Sequence, residues 1–381
     1  MAGSVRHAPP TMTDPVAPRS AAPLLSPIRI GALDCPNRVL MAPLTRCRAD
    51  AATLAPTALN AEYYAQRASA GLIVSEATQV RPDGMGYQRT PGMYSDAQRD
   101  GWRLVTDAVH EAGGRIVAQL WHVGAVSHPD LQPGGALPVS SSPYNPGGVT
   151  HTPAGKQPQV AARALRTDEI PAIVEAYRHS SRLARDAGFD GVEIHSANGY
   201  LLEQFIRDSV NRRDDAYGGS IANRLRLVLE VVDAAVGVWG ADRVGIRLAP
   251  VTGANGCPQD GDPQATYGAL VEALDARGLA YLHFIEGNTG VERHARGFDF
   301  GWARRAFRGT YVANNRYGRD EAIESIASGA ADAVAFGVPF ISNPDLPRRL
   351  ELGVPLAPAN TKTFYSQGPA GYVDYPALEA A

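Results

Sequence analysis

Residues 167–200, TDEIPAIVEAYRHSSRLARDAGFDGVEIHSANGY, hold one complete structural unit, and their reading decides the fold. Thr167 followed by Asp168, Glu169 and Pro171 predicts a helix start. The hydroxyl can accept from the first free N–H groups, the acids face the positive end of the helix dipole, and proline stands where its missing N–H costs nothing. The amphipathic stretch runs to Ala187 and stops at Gly188, the residue type that closes helices most readily. Gly191-Val192-Glu193-Ile194 is then a short apolar run without polar alternation, which suits a parallel strand buried on both faces.

The same unit recurs along the chain. Other strand-sized runs are Val39-Leu40-Met41-Ala42, Leu72-Ile73-Val74, Ile116-Val117-Ala118, Val244-Gly245-Ile246-Arg247-Leu248, Tyr281-Leu282-His283-Phe284-Ile285, Tyr311-Val312-Ala313 and Ala333-Val334-Ala335-Phe336. Helical patterns over 59–70, 96–112, 168–187, 221–238, 263–277 and 319–328 separate them, and Gly71, Gly113, Gly278 and Gly329 repeat the stop seen at Gly188. About eight βα repeats leave two architectures, a closed barrel and a doubly wound sheet. No Gly-x-Gly-x-x-Gly follows the first strand, which argues against a dinucleotide-binding sheet. Eight units in 381 residues favour a single α/β domain, a (β/α)₈ TIM barrel over 24–381.

One connection is too long for a simple crossover. Residues 123–166, after the third strand, are full of Pro, Gly and Ser, and are expected to form a subdomain capping the barrel mouth. Residues 1–23, rich in Ala and Pro and without an apolar core segment, read as a disordered arm and not as a secretory signal. A formal charge of −3 gives nucleic acid no electrostatic footing, and the longest apolar runs fall far short of a membrane span. Three widely spaced cysteines, Cys35, Cys47 and Cys257, exclude a disulfide framework and a Cys-x-x-Cys zinc site, and fit a reducing cytoplasm. Cys47 is read as a small buried residue in preference to a reactive thiol.

In a barrel, chemistry sits at the carboxyl ends of the strands. Reading past each run collects Pro43, Leu44 and Thr45, then Glu76, Ala77 and Thr78, then Gln119, Trp121 and His122. His195, Asn198 and Tyr200 follow, with Arg247, Glu286 and Asn288, Asn314, Asn315 and Arg316, and Phe336-Gly337 after them. Each alone is weak: a single His after a strand is more often structural, and a single Arg more often an ion-pair partner. Their convergence on one face raises all of them together. The set suits a flavin. An amide such as Gln119 matches the donors and acceptors of an isoalloxazine edge, and a guanidinium such as Arg247 stabilises the negative charge that reduction places near N1 and O2. Thr45 can reach a carbonyl on the other edge, and the last two strand ends form the usual barrel phosphate site. The His195-to-Tyr200 segment suits a substrate: two N–H donors hold a carbonyl oxygen, and a phenol delivers a proton. The bland alternative is a His and an Asn that satisfy loop backbone. No zinc spacing, nucleophile elbow or P-loop is present.

These residues resemble the Old Yellow Enzyme family. The likeness runs from about Leu24 to Pro376. It includes Ala42-Pro43-Leu44-Thr45-Arg46, Ser75-Glu76-Ala77-Thr78, Gln119-Leu120-Trp121-His122, the His195-to-Tyr200 segment, Tyr217-Gly218-Gly219-Ser220 and Asn343-Pro344-Asp345-Leu346. The resemblance implies non-covalent FMN, NADPH or NADH as hydride donor, and reduction of activated alkenes. It implies flavin contacts at Thr45, Ala77, Gln119 and Arg247. His195 and Asn198 become the carbonyl-binding pair, Tyr200 the proton donor, and Tyr87, Trp121 and Tyr365 the lining of the substrate pocket. A monomer or weak homodimer is expected. Reduction of nitroesters or quinones on the same site, and a non-catalytic flavin binder, are the alternatives.

Three positions depart from the family pattern. Val338 stands where an Arg usually binds the FMN phosphate, Arg316 where a Gly is usual, and Ala222 where a Glu usually precedes Asn223-Arg224. The first two suggest a swap in which Arg316 supplies the missing guanidinium. The third is expected to remove an ion pair and nothing catalytic.

Overall fold

The computed structural model describes residues 19–293 and 297–379. Eight strands form the barrel: β1 (Val39–Met41), β2 (Leu72–Val74), β3 (Ile116–Trp121), β4 (Gly191–Ser196), β5 (Val244–Leu248), β6 (Tyr281–Ile285), β7 (Thr310–Asn314) and β8 (Ala333–Phe336). Each pairs in parallel with the next. β8 pairs with β1, which makes the sheet a closed ring. Every residue of these strands is buried, as expected of strands covered by helices outside and side chains inside.

Two strands run further than their apolar runs. β3 continues through Gln119 to Trp121, its ladder with β4 reaching Leu120, and β4 continues through His195 to Ser196 on its ladder with β5. Gln119, Trp121 and His195 are therefore fixed on strands and not on loops. Between β6 and β7 a seven-residue helix, Phe300–Ala306, completes the alternation that the sequence pattern left open.

The lower interior is apolar: Leu40, Leu72, Val74, Val117, Val312, Ala333 and Ala335 form one cluster with Tyr281. A hairpin of Ile28–Ile30 and Leu33–Cys35 joins that cluster and covers the amino end of the barrel. The helices pack outside against a separate, larger core.

The 123–166 connection holds two small strand pairs, Val139–Ser140 with Arg163–Ala164 and Val149–Thr152 with Gly155–Pro158. It lies against the loop after β5, where Tyr144 donates to the carbonyl of Gly256 and the Pro146 carbonyl sits where a side chain on Gly256 would go. It also holds the helix Leu201–Ile206 through Ser141, which donates to the Gln204 carbonyl.

Of the segment expected as an arm, 1–23, only residues 19–23 are described. Residues 1–18 lie outside the described residues, but Arg19 pairs with Glu324, and Ala22–Leu25 is a helical turn that buries Leu24 fully. Among the described residues no helix is long and apolar enough to cross a membrane, and no group of three or more His, Cys, Asp or Glu could hold a metal ion.

Candidate active site

The carboxyl ends of β3, β4 and β5 place Gln119, His195 and Arg247 side by side: the strand registers pair Glu193 with Gln119 and His195 with Arg247. Gln119 and His195 are 1% and 4% exposed, and Arg247 8%, so they form a floor beneath the loops.

His195 Nδ1 accepts the backbone N–H of Ala197 at 3.3 Å, which fixes the tautomer. Burial, with Arg247 and His283 adding to it, pushes its pKa well below the ordinary imidazole value. The ring is neutral and its Nε2 carries the proton. Asn198 sits at φ 58°, in the left-handed region that Asn tolerates better than most residues. Its Oδ1 accepts the hydroxyl of Thr289 at 2.8 Å, which leaves the amide N–H groups as its free end. Asn255, from the loop after β5, holds the Asn198 carbonyl at 2.9 Å.

Tyr200 caps the helix Leu201–Ile206, and its hydroxyl lies 3.0 Å from that of Tyr87. Burial and the Tyr87 neighbour push its pKa well above the ordinary phenol value, so it holds its proton at neutral pH. Trp121 stacks on Tyr87 at 5.8 Å between centroids, tilts against Tyr200 at 4.8 Å, and lies 5.9 Å from the His195 ring. Tyr365 is 65% exposed and near enough to raise both the Tyr87 and Tyr200 pKa values. Of the three aromatics expected to line the pocket, Tyr87 and Trp121 stack on each other, while the Tyr365 ring meets Phe364 edge-on.

Part of the set expected to face the cofactor is brought together. Arg247 donates to Asn314 Oδ1 at 2.8 Å, but its buried Nε has no partner within the protein. Burial lowers its pKa only to about 10, so it remains a cation. A buried guanidinium with a free N–H fits the acceptor edge of a flavin. Pro43, Leu44 and Thr45, just after β1, are half-buried, and their loop is pinned where the N–H of Arg46 meets Glu76 Oε2 at 3.1 Å. Ala77 is 3% exposed, packed with Trp121 and Tyr200. Leu44 also approaches the Gly337 backbone, bringing the first and last strand ends together beside Phe336, which is 3% exposed.

The phosphate end differs from expectation in one respect. The whole Asn315 side-chain amide is engaged by its neighbours: Nδ2 donates to the carbonyls of Glu286, Asn288 and Glu292, and Oδ1 accepts from Gly290. Asn315 therefore braces the loop after β6, and only its main chain remains to meet a ligand. Arg316 is exposed, at φ 56°, and donates to the carbonyls of Gly290 and Val291 at 3.0 Å each. Val338 is 51% exposed.

Cys47 is buried and its thiol is pushed up to about 12, first by burial and then by Glu76, which removes it from nucleophilic chemistry at neutral pH. Three residues absent from the sequence-based site belong to it: Glu193, His283 and Thr289. The first two had a signal, a charged or titratable group inside a strand that is apolar on both sides. Thr289, in a loop, had none.

A profile described as the NADH:flavin oxidoreductase / NADH oxidase family matches residues 23–357. The chain belongs to this family. Its relatives include 12-oxophytodienoate reductase 1 of Oryza sativa subsp. japonica, 46% identical over 374 residues that cover 96% of this chain and 95% of that protein. Morphinone reductase in complex with tetrahydroNAD is 47% identical with a TM-score of 0.89, covering 93% of this chain and 98% of that one. The Old Yellow Enzyme homologue of Zymomonas mobilis is 44% identical with a TM-score of 0.88, covering 93% and 99%. This member of the flavin oxidoreductase family is an Old Yellow Enzyme, an FMN-dependent ene-reductase that uses a nicotinamide hydride donor.

Proposed function

We propose that this flavin oxidoreductase reduces the C=C bond of cyclic α,β-unsaturated ketones, with His195 and Asn198 holding the ketone oxygen and Tyr200 supplying the proton. One observation carries the reading: each of the two side chains has its acceptor atom occupied within the protein, His195 by Ala197 N–H and Asn198 by Thr289, so each is left with N–H groups to donate. Two donors on one oxygen draw electrons from the conjugated alkene. They bind the developing enolate better than the ground-state carbonyl, which is where rate is gained. FMN, when bound, supplies the hydride after taking it from NADPH or NADH. Arg247, Gln119 and Thr45 would hold its ring, with Ala77, Pro43 and Leu44 beside it. Arg316, Phe336, Gly337 and the Asn315 main chain would hold its phosphate.

The relatives' names specify ketone substrates, oxophytodienoate and morphinone, and one relative binds tetrahydroNAD. An aromatic lining of Tyr87, Trp121 and Tyr365 suits a flat ring of that kind, and the 123–166 insertion, seated on the β5 loop, suits a cap over the mouth. One site serves the nicotinamide and the enone in turn, so ping-pong kinetics are expected. Three free, buried cysteines support a cytoplasmic place, and large exposed apolar residues from separate elements, such as Leu104, Leu137 and Leu356, support a monomer or weak homodimer. The test is spectroscopic: the yellow protein bleaches with NADPH under anaerobic conditions and regains colour with 2-cyclohexenone. A colourless protein that does not take up FMN contradicts the reading.

A further inference from the structure

Between the floor of the site and the apolar lower interior lies a layer of polar side chains. Glu193 and His195 are two residues apart on β4 and share its inward face. Glu193 is fully buried. Its Oε1 accepts Gln119 Nε2 at 2.7 Å, and its Oε2 lies 2.9 Å from His283 Nδ1. His283 is the register partner of Arg247. One carboxylate thus sits under a flavin-facing amide and beside a flavin-facing guanidinium.

We propose that Glu193 is a positioning residue for FMN, fixing the orientation of the Gln119 amide and setting the net charge around Arg247, and thereby the reduction potential of the bound flavin. The inference rests on the placement of the flavin edge at Gln119 and Arg247.

A carboxylate only accepts, so Gln119 must turn its NH₂ to Glu193, and its carbonyl oxygen and second N–H are left for the cofactor. Without Glu193 the amide could rotate and present the wrong pattern. The charge of Glu193 acts independently of that geometry. Arg247 is the cation that favours electron density on the flavin edge, and a carboxylate held beside it offsets part of that field. Burial works against the charge on Glu193, but His283, Arg247 and Gln119 outweigh it, and the carboxyl stays below its ordinary range. The other groups facing it are His195, held neutral, and the Tyr281 phenol, held protonated by burial and by Glu193 itself. His283 lies against Glu193 through Nδ1, its Nε2 has no partner within the protein, burial holds its pKa below the ordinary value, and Glu193 is the one carboxylate among these groups.

The test measures the midpoint potential and FMN dissociation constant of wild type and of E193Q, which keeps the shape and removes the charge. The expected result is a potential raised by about 30 mV or more, a tenfold change for a two-electron couple. A merely structural role would change thermal stability and leave the potential in place. E193Q that binds FMN at an unchanged potential overturns the proposal. Should E193Q fail to load FMN, E193D carries the test, since it retains the charge but draws the carboxylate back from Gln119. FMN affinity several-fold weaker at an unmoved potential is then expected, and wild-type affinity overturns the proposal. R247A separates the two layers of the argument. If R247A leaves both affinity and potential unchanged, the placement of the flavin edge fails. If R247A moves the potential and E193Q does not, the role of Glu193 fails.

Discussion

Thr289 donates its hydroxyl to Asn198 Oδ1 at 2.8 Å, and this bond fixes which end of the amide is engaged by the protein and leaves the N–H end free for the proposed carbonyl contact. Thr289 comes from the loop after β6 and Asn198 from the turn after β4, so two strand ends must be in register for the donor to be aimed. The Thr289 hydroxyl lies 3.0 Å from that of Thr252, which also accepts the Thr289 N–H at 3.2 Å. Replacing Thr289 with Val keeps the shape and removes the donor. The lost bond is worth about 1 kcal/mol, so kcat/KM for an enone is expected to fall about five- to tenfold. The Ser variant should restore it. Steady-state kinetics on both variants checks this, and equal loss in Val and Ser would point to packing and not to the hydroxyl.

The neutral state of His195 has a pH consequence. Its folded pKa is depressed by burial, so below the ordinary value of about 6.5 the unfolded chain takes the proton and the folded chain does not. His195 therefore contributes stability that is complete above that value and is lost progressively as pH falls below it. For catalysis the same shift predicts that the enone half-reaction shows no imidazole limb between pH 6 and 8. Stopped-flow rates of flavin reoxidation across that range decide it; a limb that disappears in His195→Asn would show that the ring titrates there.

Tyr200 keeps its proton because burial and Tyr87 oppose the phenolate, and the 3.0 Å contact between the hydroxyls holds the phenol in place. A positioned general acid contributes roughly 10²–10⁴-fold. Tyr200→Phe should slow reoxidation by an enone by that order and leave reduction by NADPH within a few-fold. Tyr87→Phe, which removes only the partner, should cost far less. Rapid-mixing measurement of the two half-reactions separates them, and equal slowing of both by Tyr200→Phe would assign the phenol a binding role only.

How far the sequence carried these conclusions differs from part to part. The barrel was legible because Gly188 and its counterparts stop helices and because runs such as Leu72-Ile73-Val74 have no polar alternation, features that act locally. The candidate site was legible because function gathers at strand ends, so His195 could be found by counting past an apolar run and Arg247 as the cation near the end of one. Glu193 was hidden inside such a run: it reads as one polar residue among Val192 and Ile194, and only the register with Gln119 shows that it faces its partners. Thr289 and Asn315 depend on how loops from different strands meet, which no local pattern encodes. The position of Arg19 depends on Glu324, about three hundred residues away.

The phosphate role proposed for Arg316, in place of an Arg at position 338, can be tested directly. Arg316 is exposed and tethered only to two backbone carbonyls, so it can turn to an anion at modest cost. A charge-assisted bond of this kind contributes about 1.5–3 kcal/mol. Arg316→Ala should therefore weaken FMN binding by roughly ten- to a hundredfold, with the flavin spectrum unchanged at saturation. Fluorescence titration of the apoprotein with FMN and with riboflavin makes the test specific: the loss should appear for FMN and vanish for riboflavin, which lacks the phosphate. Unchanged FMN affinity would sink the assignment and leave the phosphate to backbone N–H groups.

The buried pair of Arg207 and Glu203 joins stability to the site. Both side chains are 0% exposed and their closest atoms lie 2.8 Å apart. Arg207 also donates to the carbonyls of Ala249, Thr252, Cys257 and Pro258, so it clamps the whole loop after β5, which carries Asn255 to the Asn198 carbonyl. Glu203 in turn accepts the Gly199 N–H and the Tyr267 hydroxyl. Arg207→Met leaves a buried carboxylate without its cation, and the expected loss is about 3–5 kcal/mol. Replacing both, as Glu203→Gln with Arg207→Met, removes the stranded charge but not the four stranded carbonyls. The double variant should therefore recover part of the stability and none of the loop clamp. Urea unfolding measures the first and KM for an enone the second. A double variant with wild-type KM would show that the loop holds its place without Arg207, and that the pair serves the fold alone.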